Sequence, residues 1–195
     1  MAMADRHYRL LMRIAIGLTL AWLGWTIYDS YWGGDSVPGD FGYHAGSNFF
    51  ADGNYQQALK SYEDALAENP EHLPALRGQA ETLIMLKREN EAIAVFDLLI
   101  AREPDNPGYY ANRGIASDRL GRHYQALADY ETALRMDPEV GQGPGWLTRF
   151  LRNQAEKPPG IVDRAHYLRE QLALPESQRL LSVPTVDEAQ RPYKE

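Results

Sequence analysis

The sequence predicts an all-α protein made of an N-terminal transmembrane helix, an array of three helical repeats, C-terminal capping helices and an extended tail. Three observations support this fold class. Residues 14–28 contain no charged side chain, as in a membrane-spanning helix. Proline recurs every 34 residues in the middle of the chain, a period typical of helical repeat arrays. Apolar residues recur at helical spacing after residue 160.

The first predicted element is the run IAIGLTLAWLGWTIY, from Ile14 to Tyr28. We assign residues 14–32 as a transmembrane signal anchor, which begins near residue 10 if the Arg13 side chain reaches back toward the headgroups. Counted from residue 10 to Tyr28, about 19 residues at about 1.5 Å each span roughly 28 Å, close to the thickness of the hydrocarbon layer.

The charges beside this run predict its orientation. Arginines precede the run and aspartates follow it: Arg6, Arg9, Arg13, Asp29, Asp35 and Asp40. Positive residues stay on the cytoplasmic side, so residues 1–13 form a cytoplasmic basic segment and the rest lies across the membrane. We expect a single-pass protein of a bacterial inner membrane with a periplasmic repeat domain. An organellar membrane with the array in the cytosol is the alternative.

A cleaved signal peptide is the competing interpretation of the N terminus. It requires small residues at a cleavage site, and the exit from Tyr28 to Trp32 has no A-x-A pattern. Gly17, Ala21 and Gly24 share one helix face, where a second transmembrane helix can approach closely. The six residues 33–38 form the linker to the repeats and span at most roughly 20 Å, which keeps the repeats near the membrane.

The repeats occupy the middle of the chain. Pro70, Pro104 and Pro138 stand 34 residues apart. The same offset relates three further sets of residues: Ala58, Ala92 and Ala126; Tyr62, Phe96 and Tyr130; and Ala65, Leu99 and Ala133. A period held at four kinds of position in three copies predicts stacked helical hairpins.

This pattern resembles the tetratricopeptide repeat family, which has a small residue at repeat position 8, alanine at 20, an aromatic residue at 24 and proline at 32. Repeats over residues 39–72, 73–106 and 107–140 place Gly46, Ala80 and Gly114 at position 8. Departures are mild: Ser117 replaces a bulky residue, and Leu99 replaces alanine. The resemblance covers just over half of the chain and implies a helical array that binds protein partners.

Residues 141–181 are predicted to cap the array, because an open end would expose apolar surface. One capping stripe contains Trp146, Leu147, Phe150 and Leu151. A further helix carries apolar Ile161, Ala165, Leu168 and Leu172. We expect its charged residues to form a solvated face: Asp163, Arg164, Arg169 and Glu170. Residues 182–195 contain two prolines and read as an extended tail, which either is disordered or occupies a groove of this protein or its neighbour.

Composition and motifs favour a binding protein over an enzyme. The 195 residues carry 20 Lys and Arg against 27 Asp and Glu, an acidic balance that argues against nucleic acid as a partner. The absence of cysteine excludes disulfides, thiolate metal sites and a lipid-modified cysteine. The five histidines are scattered, and no catalytic or phosphate-binding motif occurs. We therefore expect no catalytic residue, no metal, no cofactor and no small-molecule substrate.

The resemblance implies a partner-binding groove along the first helix of each repeat. Carried over by position, it comprises Tyr43, His44, Ser47, Phe50, Arg77, Glu81, Ile84, Met85, Asn112, Ile115, Asp118 and Arg119. Relatives that grip the C-terminal carboxylate of chaperones have lysine or asparagine where this chain has Tyr43, Ser47 and Gly108. That clamp is therefore disfavoured here.

These expectations lead to one main functional hypothesis and two alternatives. The main hypothesis is a membrane-anchored, periplasm-facing scaffold or assembly factor that binds a segment of a membrane protein complex. The first alternative is a receptor for unfolded or translocating polypeptides, supported by an apolar strip of Phe50, Ile84, Met85 and Ile115. The second is an enzyme whose active residues lie within residues 141–195.

Overall fold

The computed structural model describes residues 2–32, 37–142, 160–182 and Pro192. Throughout these residues the regular structure is helical, which confirms the predicted fold class. In these ranges the α-helices are α1 (Ala2–Trp32), α2 (Asp40–Ala51), α3 (Tyr55–Glu68), α4 (Leu73–Met85), α5 (Glu89–Arg102), α6 (Pro107–Arg119), α7 (His123–Met136) and α8 (Ile161–Ala173). Short 3-10 helices cover Pro138–Gln142 and Glu176–Gln178.

Several predictions fall outside the described residues. They concern the capping stripe of Trp146, Leu147, Phe150 and Leu151, most of the linker and nearly all of the tail. All of these stay predictions.

Residues 1–37, which contain helix α1, form a unit separate from the rest of the chain. The 31 residues of α1 correspond to about 46 Å of helix, so the helix extends beyond the apolar run on the N-terminal side. Arginine is a good helix former, so Arg9 and Arg13 continue the helix where the apolar run is interrupted. Within it, Tyr8–Asp29 is long and apolar enough to cross a membrane, although a signal sequence near the N terminus passes the same test.

The second unit contains three helical hairpins, α2–α3, α4–α5 and α6–α7. Local caps start the second and third hairpins: the Asn106 side chain accepts a hydrogen bond from the Gly108 backbone at 2.9 Å, and His72 Nδ1 accepts one from Ala75 at 3.1 Å. Gly53 and Gly121 turn the first and third hairpins with positive φ. The middle turn has no glycine, and Lys87 takes the left-handed conformation there with a φ of 58°.

Close approach of helices inside the array depends on glycine facing an aromatic ring. A Cβ atom added to Gly46 would lie 2.8 Å from the Tyr62 ring, and one added to Gly114 would lie 2.7 Å from the Tyr130 ring. Both rings are buried, and Phe96 takes the equivalent place in the middle repeat. Small residues at position 8 thus leave room for the aromatic residues at position 24, as the repeat pattern predicts.

Helix α8 extends the array beyond the third repeat. Ile161, Ala165 and Leu168 are buried and join the hydrophobic core that contains Leu59 of the first repeat, as predicted, whereas Leu172 is only partly buried. Arg164, however, is only 3% exposed, so the prediction of a solvated arginine there was wrong. The helical spacing of residues 161–172 does not indicate that Arg164 bonds to a buried carboxylate, that of Asp118.

Candidate functional site

A cleft of about 200 Å³ lies between α2 and α4, the first helices of the first two repeats. Its lining combines aromatic rings with polar and charged groups: Tyr43, Ser47, Phe50, Tyr62, Pro74, Arg77, Gly78 and Glu81. We call this the α2–α4 cleft. Five of the residues predicted to form the groove line it, so the structure brings this part of the predicted site together.

Helical spacing explains which side chains meet in the α2–α4 cleft. Tyr43, Ser47 and Phe50 lie at positions i, i+4 and i+7 of α2 and therefore share one face. Arg77 and Glu81 are four residues apart on α4 and face them. Two adjacent helices thus supply opposite walls of the cleft.

Tyr62 of α3 contributes its ring to the lining of the cleft. Its hydroxyl and that of Ser47 form a hydrogen bond of 3.3 Å. Burial raises the pKa of Tyr62, and this effect exceeds the opposing one of the Ser47 hydrogen bond. The Tyr43 ring centroid lies 6.2 Å from that of Tyr62 and 5.3 Å from that of His72. The cleft therefore presents an ordered aromatic surface.

His72 connects the cleft to the joint between the first two repeats. Because its Nδ1 accepts the Ala75 amide, its Nε2 carries the proton and donates to Asp40 Oδ1 at 2.9 Å. This neutral tautomer caps α4 and ties it to the start of α2. The two walls of the cleft are thereby held by a hydrogen-bonded side chain that is itself buried.

The charges of the cleft lie on α4. Arg77 Nε is 3.9 Å from Glu81 Oε1, and the Arg77 side chain is one-third exposed whereas that of Glu81 is 10% exposed. The cleft combines aromatic rings and hydroxyl groups with the Arg77–Glu81 pair. These groups suit a ligand that has an apolar side chain and a polar peptide backbone.

The third-repeat part of the predicted groove is organised differently. Asn112, Ile115 and Asp118 are buried, and in the second repeat Ile84 is completely buried. Ile84 and Ile115 belong to the hydrophobic core, so the proposed apolar strip is not a continuous surface. Repeat position alone could not reveal this, because positions on the concave side of one helix also contact the neighbouring helices.

The remaining predicted groove residues lie nearer the surface. His44 is exposed, and Met85 and Arg119 are partly exposed. Arg119 Nη1 donates to the Ile84 carbonyl at 2.9 Å, where α4 ends. This guanidinium therefore stabilises the C-terminal end of α4 and links it to α6.

Asp118 is buried because it binds helix α8. Its two carboxylate oxygens accept hydrogen bonds from Arg164 at 2.6 and 2.9 Å, and His123 Nδ1 lies 2.9 Å from Oδ1. The Tyr130 hydroxyl donates a longer hydrogen bond to Asp118 Oδ2 at 3.4 Å. The sequence offered Asp118 as a groove residue, whereas the structure uses it to dock the C-terminal helix.

A second ion-pair network sets the orientation of the second and third repeats. Arg113 forms a bidentate pair with Asp129 at 2.9 and 2.7 Å and also contacts Asp97 at 2.7 Å. Its hydrogen bonds, chiefly to Asp129, raise the pKa of Arg113 well above its ordinary value. One side chain of α6 thus ties α7 to α5.

Sequence reasoning missed three lining residues of the α2–α4 cleft: Tyr62, Pro74 and Gly78. Tyr62 was recognised only as a packing residue, and Gly78, at position 6 of the second repeat, was the signal that its ring also contacts α4. In the part of the chain that the structure describes, no cluster of three or more His, Asp or Glu side chains could hold a metal ion. On α1, Gly17, Ala21 and Gly24 are exposed, and their role in helix packing stays a prediction.

Comparison with known proteins identifies the repeats. Family models described as tetratricopeptide repeat match residues 49–112 and residues 107–140. The solved structure of the first tetratricopeptide repeat domain of Spaghetti (RPAP3), bound to the HSP90 peptide SRMEEVD, is similar with a TM-score of 0.57 and 20% identity, covering 72% of this chain and 97% of that one. A repeat protein from Thermus thermophilus gives a TM-score of 0.51 and 26% identity, covering 68% of this chain and 71% of that one.

Curated relatives share the repeats but are much longer. A DnaJ homolog subfamily C member 7 homolog from Dictyostelium discoideum is 30% identical over 102 residues, which cover 50% of this chain and 19% of that protein. RNA polymerase II-associated protein 3 from Xenopus laevis is 33% identical over 92 residues, which cover 47% of this chain and 14% of that protein. The aligned region is thus a small part of either relative.

Proposed function

Because the chain carries tetratricopeptide repeats, we propose that it is a membrane-anchored scaffold whose α2–α4 cleft binds an extended segment of a partner protein. Tetratricopeptide repeats are protein-interaction modules. The observation that carries the proposal is the cleft itself, in which Tyr43, Phe50 and Arg77 converge from two repeats. Aromatic rings and arginine are the side chains that contribute most to protein interfaces.

Membrane anchoring is supported by α1. The span Tyr8–Asp29 exposes its large apolar side chains, as a lipid-facing helix requires. Its threonine hydroxyls are satisfied within the helix, since the Thr19 hydroxyl donates to Ala15 and the Thr26 hydroxyl donates to Leu23, both at 2.9 Å. Arginines before the span favour an N terminus in the cytoplasm and repeats in the periplasm of a bacterial envelope.

The short linker favours a partner in the same membrane. The repeat unit begins at Pro38, nine residues after the candidate span ends at Asp29. We expect a tether of this length to favour partners among the exposed segments of neighbouring membrane proteins. We propose that such a segment, belonging to a membrane protein complex, is the occupant of the cleft.

A chaperone tail is not the ligand that this cleft favours. The Spaghetti domain has such a peptide bound, but this chain has Tyr43 and Ser47 where carboxylate-clamp relatives have lysine and asparagine. We expect no saturable binding of a synthetic SRMEEVD peptide in a fluorescence anisotropy titration. Tight binding would show that the cleft selects a C-terminal carboxylate after all.

The receptor for unfolded polypeptides is the second candidate, and it has lost part of its support. Two of the four residues in its apolar strip, Ile84 and Ile115, are buried. A scaffold co-purifies with one complex at fixed stoichiometry, whereas a receptor recovers many peptides weakly. Quantitative mass spectrometry of material extracted in mild detergent distinguishes the two.

The topology is tested by fusing a phosphatase that is active only in the periplasm to the C terminus. We expect full enzyme activity together with retention in the membrane fraction. Activity in the soluble periplasmic fraction would identify α1 as a cleaved signal peptide. An inactive fusion would place the repeats in the cytoplasm and contradict the proposed orientation.

The role of the cleft is tested by Phe50→Asp, which places a charge among its aromatic residues. We expect loss of the co-purifying partner while the circular dichroism spectrum stays unchanged, because Phe50 is only partly buried. Leu98→Asp is the matched control, since Leu98 is exposed on α5 away from the cleft. Equal recovery of the partner by both variants would contradict binding in the cleft.

A further inference from the structure

Within the described residues, the first helix of the array has a face that no repeat covers. The repeat unit begins at Pro38, and Phe41, His44 and Asn48 lie at positions i, i+3 and i+7 of α2, on one face of that helix. All three side chains are exposed. Their counterparts in the second and third repeats are all buried: Ala75, Gly78, Thr82, Tyr109, Asn112 and Ala116.

Phe41 departs from the polar surface that the open end of an array requires. His44 and Asn48 meet this requirement, but the Phe41 side chain is 86% exposed. Among the large apolar side chains that the structure describes it is the most exposed, even when those of α1 are included. A buried position in later repeats is thus filled by an aromatic ring in the first repeat, where nothing in the array covers it.

A cleft of about 470 Å³ lies beside Phe41, between α2 and α3. We call it the outer cleft, and it shares no lining residue with the α2–α4 cleft. Small residues form most of its lining: Gly42, Ala45, Ser61 and Ala67. The same surface therefore carries a protruding ring and a recess with small walls. An interface between two copies related by a twofold axis needs both features, because each copy supplies the same patch.

The charges beside the outer cleft are also compatible with a second copy. Asp64 lines the cleft, and exposed Lys60 precedes it by about one turn of α3. A twofold axis allows Lys60 of each copy to approach Asp64 of the other. Glu68, the other acidic lining residue, accepts a hydrogen bond from the Gly39 amide at 3.0 Å within its own chain.

The opposite end of the array is already covered. Ala165 and Leu168 of α8 join the hydrophobic core, and Arg169 of α8 binds Glu131 of α7 with two nitrogens. A second copy therefore does not find a bare last repeat on which to place its first repeat. This favours a contact between two N-terminal faces over head-to-tail stacking.

We propose that the chain forms a twofold dimer through this surface, with Phe41 of each copy in the outer cleft of the other. Aromatic side chains are enriched in the buried centres of protein interfaces. A twofold axis along the membrane normal gives both copies of α1 the same orientation, so the dimer is compatible with anchoring in one membrane. The surface is separate from the α2–α4 cleft, and the dimer adds a second interaction to the proposed function.

Double electron–electron resonance on the full chain in detergent tests the dimer. The chain has no cysteine, so Gln57→Cys creates a single spin-label site on an exposed residue of α3 outside the outer cleft. We expect a narrow distance distribution between chains, with a modulation that falls when unlabelled chain is added. Phe41→Asp should abolish this signal. Leu98→Asp, which places the same charge at an exposed apolar residue of α5, is the matched control and should keep it.

Absence of a dipolar signal from the Gln57→Cys chain, or a signal that survives Phe41→Asp, would overturn the proposal. Labels at His166→Cys, which is exposed on α8, should lie farther apart than labels at residue 57. The reverse order would place the interface at the other end of the array and also overturn it. Phe50→Asp should keep the dipolar signal while it removes the co-purifying partner, so the dimer and the proposed function can fail separately.

Discussion

Tyr62 is the residue on which the geometry of the first two repeats depends. Its ring lies between Gly46 and Gly78, where added Cβ atoms would approach to 2.8 and 2.4 Å. The same side chain lines the cleft and bonds Ser47. The Tyr62 side chain therefore contributes both to the packing of the repeats and to the surface of the cleft. A change around its ring affects both.

Gly78→Ala should destabilise the array, because the new methyl group would overlap the buried Tyr62 ring. Overpacking of this kind costs about 1–3 kcal/mol. Urea denaturation followed by circular dichroism measures the loss. In a Tyr62→Leu background the same substitution should cost less, and an equal cost in both backgrounds would show that the ring is not the obstacle.

The raised pKa of Tyr62 predicts a specific alkaline sensitivity. A group whose pKa is raised by folding stabilises the fold below its unfolded value of 10.0, and this contribution disappears as the pH rises through the folded value. The stability of the protein should therefore fall above about pH 10, and Tyr62→Phe should fall less steeply over the same range. Parallel pH profiles of the unfolding free energy for the two proteins are the measurement. Identical slopes of the two pH profiles would contradict the assignment of the alkaline sensitivity to Tyr62.

Arg113→Ala should destabilise the protein by about 1–3 kcal/mol, because it leaves the buried carboxylate of Asp129 without its bidentate partner. Arg169→Ala is the matched control. Arg169 also binds one carboxylate with two nitrogens, but both it and Glu131 are exposed, so its loss should cost at most about 1 kcal/mol. Chemical denaturation measures the loss of unfolding free energy in both variants. Equal losses would argue against the inter-repeat role of Arg113.

Among the elements, α8 shows what a sequence pattern can and cannot predict. Its apolar spacing predicted a helix and the buried face of Ile161, Ala165 and Leu168 correctly. The partner of Arg164 is Asp118, 46 residues away, and no local spacing encodes that contact. Long-range pairing, rather than helix formation, is the part that could not be derived from the sequence.

The Asp118–Arg164 pair should control docking of α8. Asp118→Leu or Arg164→Leu alone breaks a buried ion pair, which costs about 3–5 kcal/mol, whereas the double variant should lose much less. Hydrogen exchange of α8 amides, alongside global unfolding, measures the effect. If the double variant loses the sum of the two single losses, the pair does not act as a unit.

At the scale of the whole molecule, the repeat period predicted the array because each small and aromatic position serves the same packing role in every copy. The binding surface was less predictable. Tyr43, Ser47, Phe50, Arg77 and Glu81 meet in the cleft as expected, but Ile84, Asn112, Ile115 and Asp118 are taken up by packing or by the contact with α8. The burial of Asp118 depends on the docking of α8 beyond the last repeat, and the repeat pattern does not encode that docking.

Photo-cross-linking in intact membranes decides whether the cleft binds a membrane protein segment. A photoreactive residue replaces Ser47 inside the cleft or, as the control, exposed Leu98 on α5. We predict that position 47 forms a covalent product with one membrane protein, that Phe50→Asp abolishes this product, and that position 98 does not form it. The same product from both positions, or one from position 47 that survives Phe50→Asp, would contradict binding in the cleft.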